Sequence, residues 1–545
     1  MARTPKQENS CQGLPPSYQL AILAAGLLLI LDQTQAGVTV TARGVDFASV
    51  KSAVAKAADG DIVVTPAGTA AWTSTLVINK SISLIGAGID QTIFIDQTPK
   101  GTGHNCLFQI ESKSNTILSR ISGFTINGSD GGSTGSTIDK GGLGAISIAA
   151  VSANPNVRVD HIKFYRLYQR PLVFSGGAWG VVDHCDFTMG PWTGGIEIKH
   201  DSWKGRGNYG DNSWADEAHF GTEQAMFIED CTFTEFSGAT FVDGDAGMRV
   251  VVRHCTVTGS EMGNHGTETS QRYRGGRMME VYKNTMDGGD SSHNHNWAIY
   301  VRGGTALIWG NTLDRYDRIV NLAGYRLWFK AQPWGQADGA NVWDVNDTED
   351  HSGNGYGGGP SGVFATGTHT GSNGASTLTD SAAAWTKNQW RGYSIRNLTQ
   401  TTAGSINANT TTTITPDGNP QGAPMTFNSG DRYEIRKVLV VLDQPGRGKG
   451  DYISGGSSVV NPTPRKNPNN MLEPVRIWGN TLAPKFGNGN GLPVVTSQAY
   501  NLVENVDWYY SIDNSAALPG YSPYVYPHPL VSGTSVTSAN LRIAP

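Results

Sequence analysis

A six-residue unit recurs along this chain, and it limits the possible folds more than any other feature. Its pattern is apolar, polar, polar, usually Cys or Asn, polar or charged, apolar. Copies run Val159–Phe164 (VDHIKF), Val182–Phe187 (VDHCDF), Ile228–Phe233 (IEDCTF), Val252–Val257 (VRHCTV), Val281–Met286 (VYKNTM) and Ile308–Leu313 (IWGNTL), with Ile477–Leu482 (IWGNTL) near the end. The fourth positions fall at 162, 185, 231, 255, 284 and 311, so the steps are 23, 46, 24, 29 and 27 residues. A step of this size fits one turn of a solenoid built from short strands, because a single unit cannot bury its apolar face without neighbours above and below. Equivalent residues then stack about 4.8 Å apart along the axis. Cys185, Cys231 and Cys255, continuing as Asn284 and Asn311, are expected to form an internal ladder in which the thiols act as small apolar groups rather than disulfide partners.

A second strand is expected between copies, at Pro171–Gly177, Gly195–Asp201, Ala239–Asp245, Asn264–Ser270, Trp297–Gly304 and Val320–Tyr325. Long steps contain excursions at about 202–222 and 259–277. Phe47, Val50, Ala53, Val54 and Ala57 fall at helical spacing and predict an amphipathic helix capping the open end of the solenoid.

Composition agrees with a turn-rich β protein: 69 Gly in 545 residues, with only 16% charged. A net charge of −5 excludes a basic nucleic-acid binder, and 38% apolar residues exclude a disordered chain. Residues 1–36 read as an export signal: Arg3 and Lys6 precede an apolar run from Leu20 to Leu31, too short to span a bilayer comfortably. No second long apolar run follows, so the mature chain is expected to be secreted, with no membrane span. Residues 366–437 lose the repeat and predict a small β module inserted between a solenoid of 37–365 and final coils with a C-terminal segment over 438–545.

The stretch Phe47–Gly68, the following Leu76–Gly88 and the recurring V-D-H-C-x-F units resemble right-handed parallel β-helix proteins of the pectin-lyase-like superfamily. The resemblance implies an all-β, right-handed parallel β-helix, and a polysaccharide as partner. Fold alone does not choose among the lyases, hydrolases and binding proteins built this way.

Chemistry in a repeating structure is expected where the repetition breaks. Aligned on their apolar positions, the second strands place Ser175, Lys199, Asp243, one of Thr267 or Glu268, and Arg302 in one column, with His200, Asp201, Asp245 and His265 crowding the same edge. β-Elimination from a uronate polymer needs a base and a cation beside the substrate carboxylate. By the resemblance, Asp201, Asp243 and Asp245 are candidate Ca²⁺ ligands and Lys199 or Arg302 the candidate base, with His265 beside them. Arg272, Arg274 and Arg277 are candidate clamps on substrate carboxylates, and Trp203 and Trp297 candidate platforms for sugar rings. A non-catalytic glycan-binding or structural surface protein is the second reading, and a hydrolase using Asp243 and Asp245 as acid and base the third. The competing explanation for the column is a surface ion-pair ladder without chemistry. His293 and His295 lack a third ligand for zinc, and the acidic run from Asp344 to Asp350 lacks the pattern of a calcium-binding loop.

Overall fold

The structure, a computed structural model, describes residues 37–99, 105–128, 143–167, 169–189, 194–205, 210–234, 240–267, 274–289, 296–324, 337–339, 363–416, 424–437, 441–448, 471–484, 493–497 and 502–533. The proposed signal, Arg272, Glu268, His293 and His295 lie outside these residues.

The repeat folds as a parallel β-helix with three strands per coil. The first sheet stacks the start of each unit, as in Gly180–Asp183 on Met226–Glu229, then on Val250–Arg253, Met279–Tyr282 and Ala306–Trp309, all parallel. The second sheet stacks the end of each unit, from Asp186–Thr188 through Thr232–Thr234 and Thr256–Thr258 to Thr285–Asp287 and Thr312–Tyr316. The third contains Ile196–Lys199, Thr240–Asp245, Glu261–Gly263, Trp297–Val301 and Arg318–Ala323. In one coil the third-sheet strand is Glu261–Gly263 rather than the expected Asn264–Ser270, because the chain turns into it directly after Thr256–Thr258.

One backbone feature explains the repeat. Its third residue sits in the left-handed region in successive coils: His161, His184, Asp230, His254 and Lys283 have φ between 50° and 56°, and Gly310 and Gly479 follow at 63° and 60°. That residue turns the chain from first sheet to second, so the next side chain points inward. Cys185, Cys231 and Cys255 are buried free thiols, each against the carbonyl of a preceding coil at 3.6–3.7 Å. Burial and the flanking thiols push the Cys231 pKa well up. The ladder then becomes amide to amide, Asn284 Nδ2 donating to Asn311 Oδ1 at 3.0 Å and Asn311 Nδ2 to Asn480 Oδ1 at 2.8 Å. Phe164, Phe187 and Phe233 stack in parallel beside it, with centroids 4.8 and 4.6 Å apart. Asn311→Ala is therefore expected to cost about 2–3 kcal/mol, since it orphans buried groups of two neighbouring coils; an unchanged urea midpoint would show the ladder to be unimportant.

The helix Phe47–Lys56 covers the open end with Val50, Ala53 and Val54 buried. Asp46 caps its first turn, and the Lys80 ammonium binds the carbonyls of Val54, Ala55 and Ala57 at its last. At the other end, the chain doubles back over the first sheet. This C-terminal strap is tied by guanidinium groups: Arg476 donates to Ala516 O and Ala517 O, Arg253 to Tyr524 O and Val525 O, and Arg158 to Leu530 O. Residues 363–437 include a six-stranded antiparallel sheet with its own core around Trp390, Ile395, Ile406 and Ile435. No helix among the described residues is long and apolar enough to cross a membrane.

Candidate active site at the third corner

Three long connections leave the solenoid at the corner between the third sheet and the next coil's first sheet, joining Lys199 to Met226, Gly263 to Met278 and Ala323 to Val475. Third-sheet strands alternate in and out, so Ile196 and Ile198 are core while Glu197 and Lys199 face outward at that corner.

The observed register pairs Glu197 with Asp243 and Lys199 with Asp245. This shifts the expected column by two residues: Asp245, not Asp243, lies beside Lys199. The next coil contributes Gly263 alongside Asp243, then His265, whose backbone N–H donates to Gly244 O. Gly263 pairs with Tyr300, which leads to Arg302. Thr267 is buried rather than on the edge.

His265 Nε2 lies 3.0 Å from Asp243 Oδ2 and donates to the carboxylate. Arg302 Nη2 lies 3.9 Å from Asp243 Oδ1, and Arg170 Nη2 lies 4.0 Å from Oδ2. Burial opposes ionisation of Asp243, but His265, Arg302 and Arg170 outweigh it and hold the carboxyl well below its usual range. Asp245 is different. Burial raises its pKa to about 6, because Lys199, 4.0 Å away, and His265 offset only part of the penalty, to which Glu197 and Asp243 add. Its Oδ1 is buried with no hydrogen-bond partner among the described residues. Arg170, beside Glu197 at 3.3 Å, likewise has its Nη1 buried without one. Two neighbouring carboxyls with pKa values driven apart, next to unpaired polar atoms, are the arrangement that acid–base chemistry uses.

Several expected site residues serve the fold instead. Arg274 is fully buried, bound to Asp443 at 2.6 Å and to Asp211. Arg277 is fully buried as well, paired with Glu473 at 2.6 Å. Neither guanidinium reaches a groove, because segments far off in sequence supply its carboxylates. Trp203 is buried between Trp179 and Arg249 and donates Nε1 to Asp216 at 3.0 Å, so it offers no face to a sugar. His200 is also interior; burial and Arg249 lower its pKa to about 3. Trp297 remains partly exposed, its ring 5.0 Å from Tyr300.

Asp201, Asp243 and Asp245 do not form a three-ligand cluster. Asp201 Oδ1 accepts the Gly176 N–H at 2.7 Å, while the Asp243 carboxylate faces His265, Arg302 and Arg170. Among the described residues, the ligand-type side chains that cluster in threes are Asp160, His161 and Asp183, and there Arg120 and Arg158 occupy the carboxylates.

Glu197 and Arg170 were absent from the expected site. The alternation Ile-Glu-Ile-Lys over 196–199 already faces Glu197 outward with Lys199, whereas nothing in the sequence signals Arg170, which reaches in from the preceding turn.

No protein-family model matches the chain, and no curated protein matches it by sequence. Among solved structures, it is similar to an alginate lyase from Paenibacillus sp. str. FPU-7, at 13% identity over 52% of this chain and 90% of that one, with a TM-score of 0.33. It is similar to DFA-IIIase from Arthrobacter chlorophenolicus A6, at 15% identity, 53% and 80% coverage and a TM-score of 0.33. It is similar also to a PL6 family polysaccharide lyase from Pseudopedobacter saltans, at 13% identity, 52% and 66% coverage and a TM-score of 0.33. Likeness at this level fixes neither reaction nor substrate. The parallel register of the chain's own coils makes it a parallel β-helix protein.

Proposed function

We propose that this chain is an exported, polysaccharide-cleaving β-helix protein that works by acid–base catalysis at the third corner. The observation that carries the reading is Asp245, a buried carboxyl with an unpaired Oδ1 and a pKa of about 6, two residues from an Asp243 held ionised. In its protonated form Asp245 donates to the glycosidic oxygen as the C1–O bond breaks. The Asp243 carboxylate stabilises positive charge developing at C1, and water completes the cleavage, delivering its oxygen to C1 and its proton to the carboxylate pair.

Hydrolysis of a neutral glycan is preferred over elimination from a uronate polymer. Arg170 and Lys199 lie 3.3 and 2.9 Å from Glu197, and Arg302 lies 3.9 Å from Asp243, so each of these cations already faces a carboxylate of the edge before a polyanion arrives. Lys199 and Arg302 then position the carboxyls rather than act as base. Because Asp245 must carry a proton, kcat/KM is expected to fall as pH rises above about 6.

Incubation with panels of neutral and uronate polymers tests the reading. New reducing ends without an unsaturated product are expected. An unsaturated product, with its absorbance lost in chelator, would establish calcium-assisted elimination instead, and no product from any polymer would leave a glycan-binding surface protein.

A further inference from the structure

Asp245 ends its strand at a strained corner. The next residue, Ala246, is fully buried with φ at 51°, in the left-handed region that a side chain disfavours, and Gly247 follows at 78°. Such a conformation persists only where the surroundings hold it. Here the hold is one stretch of backbone from the second excursion. The Ala246 N–H donates to Arg274 O at 2.7 Å, and the Gly247 N–H to Gly275 O at 2.9 Å. One residue further on, the Gly276 N–H donates to His265 O at 2.8 Å, so the same stretch also fixes the residue whose imidazole meets Asp243.

Residues 274–276 belong to no strand, and one carboxylate organises them. Asp443 Oδ1 accepts from Arg274 Nε and Nη2 at 2.9 and 2.6 Å, and Asp443 Oδ2 accepts the Gly275 N–H at 2.8 Å. Asp211 takes another side of the guanidinium, and Trp214 donates Nε1 to Gly275 O at 2.8 Å. Asp443 is buried and lies just beyond the inserted module's last strand, Arg432–Lys437. Its segment is stitched to the exit from Arg302: Pro445 bridges to Gly304, and the Gly446 N–H donates to Gly304 O at 2.9 Å.

We infer that Asp443 is a positioning residue for the acid–base edge: through Arg274 and Gly275 it holds the Ala246–Gly247 corner, and with it the buried setting of the Asp245 carboxyl. The charged groups facing Asp245 are Lys199, His265, Glu197 and Asp243, whereas Asp443 acts through the backbone. The return of the chain from the inserted module is thereby part of the site's construction. This inference rests on the reading of Asp245 as proton donor, and its test separates the two.

Asp443→Asn keeps an acceptor for the Gly275 N–H and gives up the ion pair with Arg274. With the corner loosened, water reaches the Asp245 carboxyl. Its titration, followed in the intact protein by the infrared band that Asp245→Asn lacks, is expected to move down from about 6 by about one unit. The protonated fraction at pH 7 is then about ten times smaller, so kcat/KM for glycan cleavage should fall about tenfold at pH 7 and hardly at all at pH 4. Trp214→Phe keeps a ring against Arg274 and loses the bond to Gly275 O; it should move the band the same way by about half a unit, and it decides the matter if Asp443→Asn does not fold. A band unmoved in every variant that folds, or cleavage that falls equally at pH 4 and pH 7, would overturn the positioning role and leave Asp245 as the donor. A wild type that cleaves no glycan would strike the catalytic reading alone, because the band still reports whether Asp443 sets the carboxyl.

Discussion

Asp245→Asn is expected to lower kcat/KM for glycan cleavage by at least about a hundredfold, the size of a general-acid contribution, and at the same time to stabilise the protein above pH 6. The two effects have one origin. Burial raises the carboxyl from near 4 to about 6, so the folded chain binds this proton more tightly than the unfolded chain does. Stability from this group is complete below the unfolded value and is lost as pH rises through about 6. Above that, the ionised carboxylate is a burden of up to about 3 kcal/mol, which the neutral amide removes. At pH 4 wild type and variant should unfold together; at pH 8 the variant should unfold later. Asp243 has the opposite sign: its pKa is depressed, so its contribution is present above the unfolded value and is lost as pH falls. Asp243→Asn is accordingly expected to be destabilising at neutral pH. A variant of Asp245 that loses activity and also stability at pH 8 would reduce it to a structural ion-pair partner.

Arg253→Met should be the most damaging single change outside the site. Arg253 is fully buried, pairs with Glu229 at 2.6 Å, and donates to Tyr282 Oη and to the Tyr524 and Val525 carbonyls of the strap. Its removal strands Glu229, whose pKa burial already raises even with the guanidinium in place. Breaking a buried pair from one side costs about 3–5 kcal/mol. Glu229 Oε1 also accepts the His528 N–H, and Tyr526 donates to Asp230, so the strap loses anchorage beyond the two carbonyls. The expected result is a lower unfolding midpoint and faster amide exchange across residues 521–533, with the inserted module unaffected. A shift below about 1 kcal/mol would mean that apolar contacts, such as Phe227 against Tyr524, hold the strap without the charges.

The coil architecture was legible because each repeat position has a separate physical task. Position two points away from the coil interior toward the strap, position three takes the left-handed corner, position four enters the ladder, and position six stacks in the core, as Asp183, His184, Cys185 and Phe187 do in one copy. The third sheet was less legible. Glu261-Met262-Gly263 offers a single inward apolar residue, Met262, too little alternation to mark a strand, and the error moved the expected column off its true register. The pairing of Lys199 with Asp245 rather than Asp243 has a related cause, since Thr240–Asp245 has Gly244 at an inward position where an apolar side chain would have set the alignment. Arg274 and Arg277 looked available because they lie in an excursion; their partners Asp443 and Glu473 come from 169 and 196 residues further on. The strap left no sequence signal, since its backbone carbonyls could come from any residue.

The most direct test is to follow the Asp245 carboxyl itself through a pH titration, by infrared difference spectroscopy of wild type against Asp245→Asn. A carboxyl band titrating near pH 6 is predicted, absent from the variant and matched by the loss of glycan cleavage above the same pH. A group already ionised at pH 4.5, or cleavage that persists undiminished at pH 8, would contradict the assignment of Asp245 as the proton donor.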